Sequence, residues 1–185
     1  MSNITIFTDG SSRGNPGPGG YGAIVSDGKQ VAELGGREAN ITNNRMELAG
    51  LIAALDHISK KSLTGEIEAH LDSQYVMRGV QHWLAGWQKN GWKTKAKQDV
   101  LNRDHCEKLA ALLDGKKIEW KHVGGHVGIP GNERVDEIAL ELIHHDIKPG
   151  DNEREWEAAG RIRDDGRHRP GGQGAKYRND LGNGG

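Results

Sequence analysis

The stretch ITIFTDGSSRGNPGPGGYGAIVSDGKQVAELGGR, residues 4–37, decides the fold of this chain. Residues 4–8 are rich in β-branched and aromatic side chains and stop at Asp9-Gly10, as a strand does before a turn. After a glycine- and proline-rich turn, residues 20–26 and 30–37 predict two more strands around Asp27-Gly28, a common hairpin signal. Three consecutive strands with short connections predict an antiparallel meander.

The hydrophobic period then changes from that of strands to that of helices. Residues 44–60 predict a helix, with Asn43 or Asn44 as its N-cap. Residues 66–72 alternate as a strand does, and Ser73 can cap a short helix after it. The remaining predicted segments are a Trp- and Lys-rich stretch at 81–98, a helix at 99–114, a strand at 118–123 and a helix at 131–145. This order predicts an α/β fold: a mixed sheet flanked by helices.

Bulk composition limits the classes of protein that this chain can be. The 185 residues are enough for one domain and a tail, and residues 148–185 lack the apolar periodicity that a core needs, so we predict a disordered tail there. A net charge of −1 excludes a globally basic nucleic-acid binder, so any polyanion must meet a local patch. The single Cys106 excludes an intramolecular disulfide framework and favours a reducing compartment. With no visible signal peptide or membrane span, we expect a soluble, cytoplasmic protein.

Four acidic residues occur where apolar segments meet turns or helix starts: Asp9, Glu47, Asp72 and Asp136. Carboxylates beside a core are costly unless they are paired or hold a metal. If strands one and four are parallel neighbours, Asp9 and Asp72 lie at the same edge of the sheet, where ligands bind in such folds. Oxygen ligands without sulfur suit Mg²⁺ or Mn²⁺. The alternative is that some of these residues are helix caps or surface acids.

Five blocks of sequence, in this order, resemble bacterial type 1 ribonuclease H: FTDGSSRGNPGPGGYGAI, TNNRMELAGLIAAL, LDSQYVMRGV, WLAGWQKNGWKT and VGGHVGIPGNERVDEIA. The resemblance runs over about residues 3–146, and each block alone would be weak. It implies the ribonuclease H-like fold, a five-stranded mixed sheet flanked by helices, over a catalytic domain of residues 1–147. It also implies hydrolysis of the RNA strand of RNA–DNA hybrids, leaving 5′-phosphate and 3′-hydroxyl ends.

The resemblance assigns the catalytic groups. Asp9, Glu47, Asp72 and Asp136 are expected to hold two Mg²⁺ ions, with Mn²⁺ as a substitute, for two-metal-ion catalysis. His126, in a glycine-flanked loop, is expected to assist proton transfer or the departure of product. The alternative is a loop histidine of no consequence.

The resemblance also assigns substrate contacts to two regions. Near the acids, the expected residues are Asn15, Asn43, Asn44 and Gln74, whose amides suit 2′-hydroxyls and base edges, and Thr42, part of a pocket for a phosphate of the DNA strand. In a basic handle at about residues 81–98, they are Trp83, Trp87, Lys89, Trp92 and Lys93. The asparagines could instead be only caps, and the tryptophans could only pack the handle against the body; support by tryptophans and binding by lysines are compatible.

Two other functions stay open at this point. One is a non-catalytic hybrid-binding module on the same fold, although such a module would be expected to have lost an acid. The other is a related nuclease acting on DNA, which the handle and the TNNRMEL block disfavour. We expect a monomer whose partner is the hybrid, with no membrane; a partner of the tail is not assigned.

Overall fold

The computed structural model describes residues 3–124 and 128–144, and they form a five-stranded sheet with helices on both faces. The strands are β1 (Ile4–Ser12), β2 (Gly17–Ser26), β3 (Val31–Ile41), β4 (Ile67–Leu71) and β5 (Ile118–His122). The helices are α1 (Asn43–Lys60), α2 (Gln74–Arg78), α3 (Leu84–Lys89), α4 (Arg103–Leu113) and α5 (Pro130–His144). His126 and the tail at 148–185 lie outside the described residues, so the domain boundary at 147 stays a prediction.

The strand order is β3-β2-β1-β4-β5. The pairs β1–β2 and β2–β3 are antiparallel, whereas β1–β4 and β4–β5 are parallel. The predicted meander and the mixed five-stranded sheet are therefore confirmed. Because β1 and β4 are parallel neighbours, the residues that follow their paired segments lie at the same edge of the sheet.

The first three strands are longer than their hydrophobic patterns predicted. The glycine- and proline-rich segment, predicted as a turn, continues the β1–β2 ladder, with Ser11 opposite Gly20 and Ser12 opposite Gly19. Glycine has low strand propensity, but here the backbone hydrogen bonds of the ladder outweigh that preference. The helix predicted at 99–114 begins only at Arg103, where Asn102 takes the N-cap position.

The N-cap of α1 was predicted wrongly. Thr42, not Asn43 or Asn44, has the extended backbone of a cap, and its hydroxyl accepts a hydrogen bond from the Arg45 N–H at 3.4 Å. A threonine hydroxyl satisfies one of the otherwise unpaired N–H groups of the first turn. The two asparagines are therefore not needed as caps. The predicted cap of α2 is confirmed, since Ser73 accepts from the Val76 N–H at 3.2 Å.

Two apolar cores cover the faces of the sheet. The larger one joins α1 and α4 to β1, β2 and β4, and its fully buried members include Leu51, Leu55 and Ala69. The smaller one contains Phe7 and Val135 and lies where α5 crosses the other face. Burial of one leucine stabilises by about 2 kcal/mol, so these layers hold α1, α4 and α5 firmly against the sheet. Among the described residues, no helix is long and apolar enough to cross a lipid bilayer.

Helix α5 lies unusually close to β2 because glycine occupies the contact. A Cβ atom added at Gly22 would be 2.3 Å from the Val135 carbonyl oxygen, closer than atoms can approach. At the edge of the contact, the guanidinium of Arg134 on α5 donates to the Glu33 carboxylate of β3 at 3.0 and 3.2 Å. Since Gly22 is paired with Asp9 in the sheet, this packing fixes where α5 lies relative to the end of β1.

The segment predicted as a handle starts from one continuous helical run. Helix α2 passes through a π-helical turn, Gly79–Trp83, directly into α3. Such turns are rare in helices and occur often at functional sites. Beyond α3 the chain reverses, and an isolated bridge joins Lys93 to Asp99 before α4 begins. The handle is thus continuous with α2 at its start, and Trp92 farther along it packs against the larger core.

We predict that Gly22→Ala destabilises the fold by about 1–3 kcal/mol, because the added methyl group forces α5 away from β2. Gly86→Ala in α3 is the matched control: a Cβ there meets nothing within 4 Å, so we expect no loss of stability. Urea unfolding of both variants measures the difference. Equal stability of the two variants would contradict the close contact.

Candidate active site

Asp9 marks the centre of the site. It lies within β1, is only 3% exposed, and accepts a hydrogen bond from the Gly10 N–H at 2.8 Å. The larger core holds β1 from one face and the smaller core from the other, so the Asp9 carboxyl has little freedom to move. A rigid strand is a better support for such a group than a mobile loop.

Glu47 reaches the same place from α1. A Cβ atom at Gly10 would lie 2.4 Å from the Glu47 backbone nitrogen, so the first turn of α1 rests directly on the β1 backbone. Only glycine permits this approach. The Glu47 side chain is 7% exposed and so lies beside Asp9 in a largely dry environment.

Asp72 and Asp136 complete the acidic group. Asp72 follows the last residue of β4, and Asp136 in α5 hydrogen bonds with the Asp9 carboxyl. Carboxylate oxygens of Asp9, Glu47 and Asp72 lie within 4.8 Å of one another. Three of the four predicted acids thus form one oxygen cluster, just beyond the parallel-paired parts of β1 and β4, and Asp136 joins it through Asp9.

This grouping strongly disfavours four simultaneous negative charges. Burial, followed by the charges of Asp72 and Asp136, raises the pKa of Asp9 to about 8. Burial, followed by the charges of Asp9 and Asp72, raises the pKa of Glu47 to about 10. The Gly10 N–H opposes both shifts without cancelling them. Without a cation, the site therefore retains protons at neutral pH.

The residues fit a hard divalent cation. The donor set is carboxylate oxygen with no sulfur or imidazole among the three clustered ligands, which is the set that Mg²⁺ and Mn²⁺ prefer. A cation would replace the retained protons as the compensating charge. Its affinity should therefore increase with pH, since binding releases protons.

Residues predicted to contact substrate lie around this site. The side-chain oxygen of Asn15, in the connection between β1 and β2, accepts a hydrogen bond from the Asn43 N–H at 3.2 Å, so the two lie together with Thr42 at the start of α1. Asn44 is the next residue along α1 and is half-buried. Gln74 is exposed and begins α2, two residues after Asp72. Asn43 and Asn44 thus precede Glu47 on α1, and Gln74 follows Asp72, so these polar groups adjoin the acids.

The handle residues fall into two groups: tryptophans that pack against the body and lysines that are exposed to solvent. Trp87 and Trp92 pack against the larger core, and the Trp83 and Trp87 ring centroids are 5.6 Å apart. Lys89 and Lys93 are exposed. The Lys93 ammonium is also paired with Asp99 at 2.7 Å, so a phosphate would have to compete for it. Trp87 and Trp92 therefore support the handle, whereas binding by its lysines stays a prediction.

Sequence reasoning missed one polar network behind the site. Arg45 on α1 makes two hydrogen bonds to Asp104 on α4, at 2.8 and 2.7 Å. Asn102, which precedes α4, connects this pair to Tyr75. The sequence separation of 59 residues leaves no local signal of the pairing, although Arg45 stands inside the TNNRMEL block.

The raised pKa values predict a pH-dependent penalty in metal-free protein. The unfolded chain releases these protons above about pH 4, whereas the folded site keeps that of Asp9 until about pH 8 and that of Glu47 until about pH 10, so stability falls from pH 4 upward across this window. Asp9→Asn removes part of the penalty. With a chelator present, we expect Asp9→Asn to raise the free energy of unfolding at pH 8 by about 1 kcal/mol or more. The effect at pH 5 should be smaller.

Denaturant unfolding at the two pH values, with EDTA, measures this effect. Glu119→Gln, which removes an exposed acid from β5, is the control and should show no such difference. A stabilisation by Asp9→Asn that is equal at pH 5 and pH 8 would contradict the raised pKa of Asp9.

The chain matches known proteins along nearly all of its described length. The family model described as RNase H matches residues 1–144. The ribonuclease H of Syntrophotalea carbinolica is 45% identical over 142 residues, which are 77% of this chain and 91% of the relative. The ribonuclease HI of Caulobacter vibrioides is 46% identical over 138 residues, 75% of this chain and 91% of the relative.

Solved structures agree with these relatives. LC9-RNase H1, a type 1 RNase H with the type 2 active-site motif, superposes with a TM-score of 0.70 at 26% identity, over 85% of this chain and 78% of the other. LC11-RNase H1, solved in complex with an RNA/DNA hybrid, superposes with a TM-score of 0.57 at 26% identity, over 76% of this chain and 96% of the other. On the family match, the identities and the acidic cluster, the chain belongs to the ribonuclease H family, in its bacterial type 1 group of metal-dependent endonucleases.

Proposed function

We propose that this chain hydrolyses the RNA strand of RNA–DNA hybrids, leaving 5′-phosphate and 3′-hydroxyl ends. The observation that carries the proposal is the cluster of Asp9, Glu47 and Asp72 oxygens within 4.8 Å, beside the amide-bearing start of α1. The cluster suits phosphate chemistry and the amides suit sugar hydroxyls. The hybrid bound to LC11-RNase H1, a structure of the same fold, supports the choice of substrate.

We propose that Asp9, Glu47, Asp72 and Asp136 hold two Mg²⁺ ions, for which Mn²⁺ can substitute. When bound, such ions activate a water and neutralise charge on the phosphate. The task of the four side chains is to give up their protons and present fixed oxygens. Asp9 and Glu47 are buried on β1 and α1, and Asp72 and Asp136 are half-buried after β4 and on α5, so little reorganisation is needed for them to hold the ions.

Hydrolysis also needs proton transfers that the acids do not supply. Water attacks the phosphorus and loses a proton, the bond from phosphorus to the 3′ oxygen breaks, and that oxygen takes up a proton. We propose that His126 assists proton transfer or product departure, on the strength of its place in the VGGHVG block. An imidazole titrates in the range that either role requires.

Recognition of the hybrid requires different groups. We propose that Asn15, Asn43, Asn44 and Gln74 contact 2′-hydroxyls and base edges across the minor groove, since amides both donate and accept. Thr42 uses its oxygen to accept from Arg45 N–H, which leaves its hydroxyl hydrogen to donate to a phosphate of the DNA strand. The handle extends the contact along the sugar-phosphate backbone of the hybrid through Trp83, Trp87, Lys89, Trp92 and Lys93.

A non-catalytic hybrid-binding module would need no acidic cluster. All four acids are present and buried or half-buried, at a considerable electrostatic penalty. A binding module would gain nothing from that penalty, so catalysis is the better explanation.

We expect the full chain with Mg²⁺ to cut the RNA strand of an end-labelled hybrid and to leave double-stranded DNA and double-stranded RNA intact. EDTA should abolish cleavage, and Asp9→Asn should slow it by about a hundredfold or more, because the negative charge and one of the two ligand oxygens are lost. Glu119→Gln should cleave normally. Equal cleavage of duplex DNA, or full activity of Asp9→Asn, would refute the proposal.

The handle should contribute through its exposed cations. Lys89→Ala should weaken binding of the hybrid and reduce the slope of log affinity against log salt by about one, because one phosphate contact is lost. Lys60→Ala is the control: it removes a lysine from the last residue of α1, at the end of the helix away from Glu47. Fluorescence anisotropy in EDTA over a salt series gives the slope for each variant. Equal slopes for Lys89→Ala and Lys60→Ala would mean that Lys89 makes no phosphate contact.

A further inference from the structure

Arg45 occupies a peculiar position in α1. It follows Asn43 and Asn44, and it precedes Glu47 by two residues. Its guanidinium nevertheless binds within the protein: Nη1 and Nη2 donate to the two carboxylate oxygens of Asp104 at 2.8 and 2.7 Å. The pair draws the start of α1 against the start of α4. Its effect is strong enough for the Arg45 guanidinium to hold the pKa of Asp104 well below its usual range.

A second branch leads from this pair to α2. The side-chain oxygen of Asn102 accepts from Arg45 Nη1 at 3.5 Å, and the Asn102 amide donates to the Tyr75 hydroxyl at 3.1 Å. Tyr75 follows Gln74, and its ring centroid lies 6.1 Å from that of Trp83 at the base of the handle. One network therefore reaches three regions at which we propose substrate contacts.

The backbone of Asn102 is held in an uncommon conformation. Its φ of 57° and ψ of 34° are left-handed, which costs about 1 kcal/mol for a residue with a side chain, although asparagine tolerates it better than most. This conformation places the side chain between Arg45 and Tyr75. An uncommon backbone maintained by a polar network indicates a position whose geometry matters.

The start of α1 is also fixed from its other side. Asn15 accepts from the Asn43 N–H at 3.2 Å, and Thr42 caps the helix. The Arg45–Asp104 pair thus supplies the complementary restraint, toward α4 and the handle. A single exposed ion pair contributes little to stability, but a bidentate arginine pair within a network is the exception.

We propose that Arg45, Asp104 and Asn102 are positioning residues that set the spacing between the α1 amides, Gln74 and the handle, so that all three engage one hybrid together. This inference rests on the proposed function. Two contact regions on one ligand strengthen each other only when their separation matches the ligand. Loss of the network should therefore weaken substrate binding while leaving the acids, and hence the chemical step, in place.

Steady-state cleavage of the hybrid by Asp104→Ala, Arg45→Ala and the double variant tests this role. Asp104 is exposed and is placed in no contact with substrate, so its replacement reports on positioning alone. We expect each single variant to raise KM by about tenfold with kcat within about twofold, and the double variant to be no worse than either. Arg45→Lys, which keeps the charge but not the two parallel hydrogen bonds, should resemble Arg45→Ala.

Lys117→Ala is the matched control. It removes another ion pair between elements, Lys117 with Glu66 at 2.6 Å, at the opposite end of the sheet. Its KM should be unchanged. The melting temperature of every variant is measured alongside.

The outcomes separate the competing explanations. An unchanged KM in Asp104→Ala, with a raised KM in Arg45→Ala, would mean that Arg45 touches phosphate directly and would overturn the positioning role. A loss of kcat in step with melting temperature would also overturn it, in favour of a purely structural pair. If the unmodified chain leaves the hybrid intact, the proposed function itself fails; if the unmodified chain cleaves, only the positioning role is at stake.

Discussion

The burial of carboxylates that also repel one another is the constraint to which the rest of the structure responds. Asp9 and Glu47 are almost inaccessible to water, and their raised pKa values record how unfavourable their charged forms are. Such a group stays together only if the surrounding backbone is rigid enough to prevent the side chains from moving apart. The two cores, the parallel pairing of β1 with β4 and the glycine contacts supply that rigidity. Stability is given up at the site and recovered in the layers around it.

The glycines show how this is achieved locally. Gly10 lets the first turn of α1 rest on β1, and Gly22 lets α5 rest on β2. Each contact brings one acid, Glu47 or Asp136, up to Asp9. Two of the four acids are therefore positioned by residues that have no side chain of their own. The geometry of this site therefore depends on the absence of side chains at Gly10 and Gly22 as well as on the acids themselves.

The predictable part of this architecture is the part with a local signal. Alternation in β4 and helical spacing in α1 identified the elements, and the acids stood at their ends, so the cluster could be anticipated once β1 and β4 were taken as parallel. The glycine-rich extension of β1 and β2 could not, because the ladder overrides propensity there. The cap at Thr42 was missed because asparagine and threonine are both good caps, and only backbone geometry distinguishes them. The Arg45–Asp104 pair was missed because it joins distant segments and has no periodic pattern.

The π-helical turn between α2 and α3 has a consequence for how the handle is encoded. Each residue advances a helix by about 100°, and a π turn holds one residue more than an α turn would. The direction in which Lys89 leaves the body is therefore determined by the number of residues in Gly79–Trp83, not only by their chemistry. Loss of one residue there would rotate the whole handle about its axis while keeping every lysine. Insertions and deletions at this turn can therefore redirect the binding surface without altering its composition.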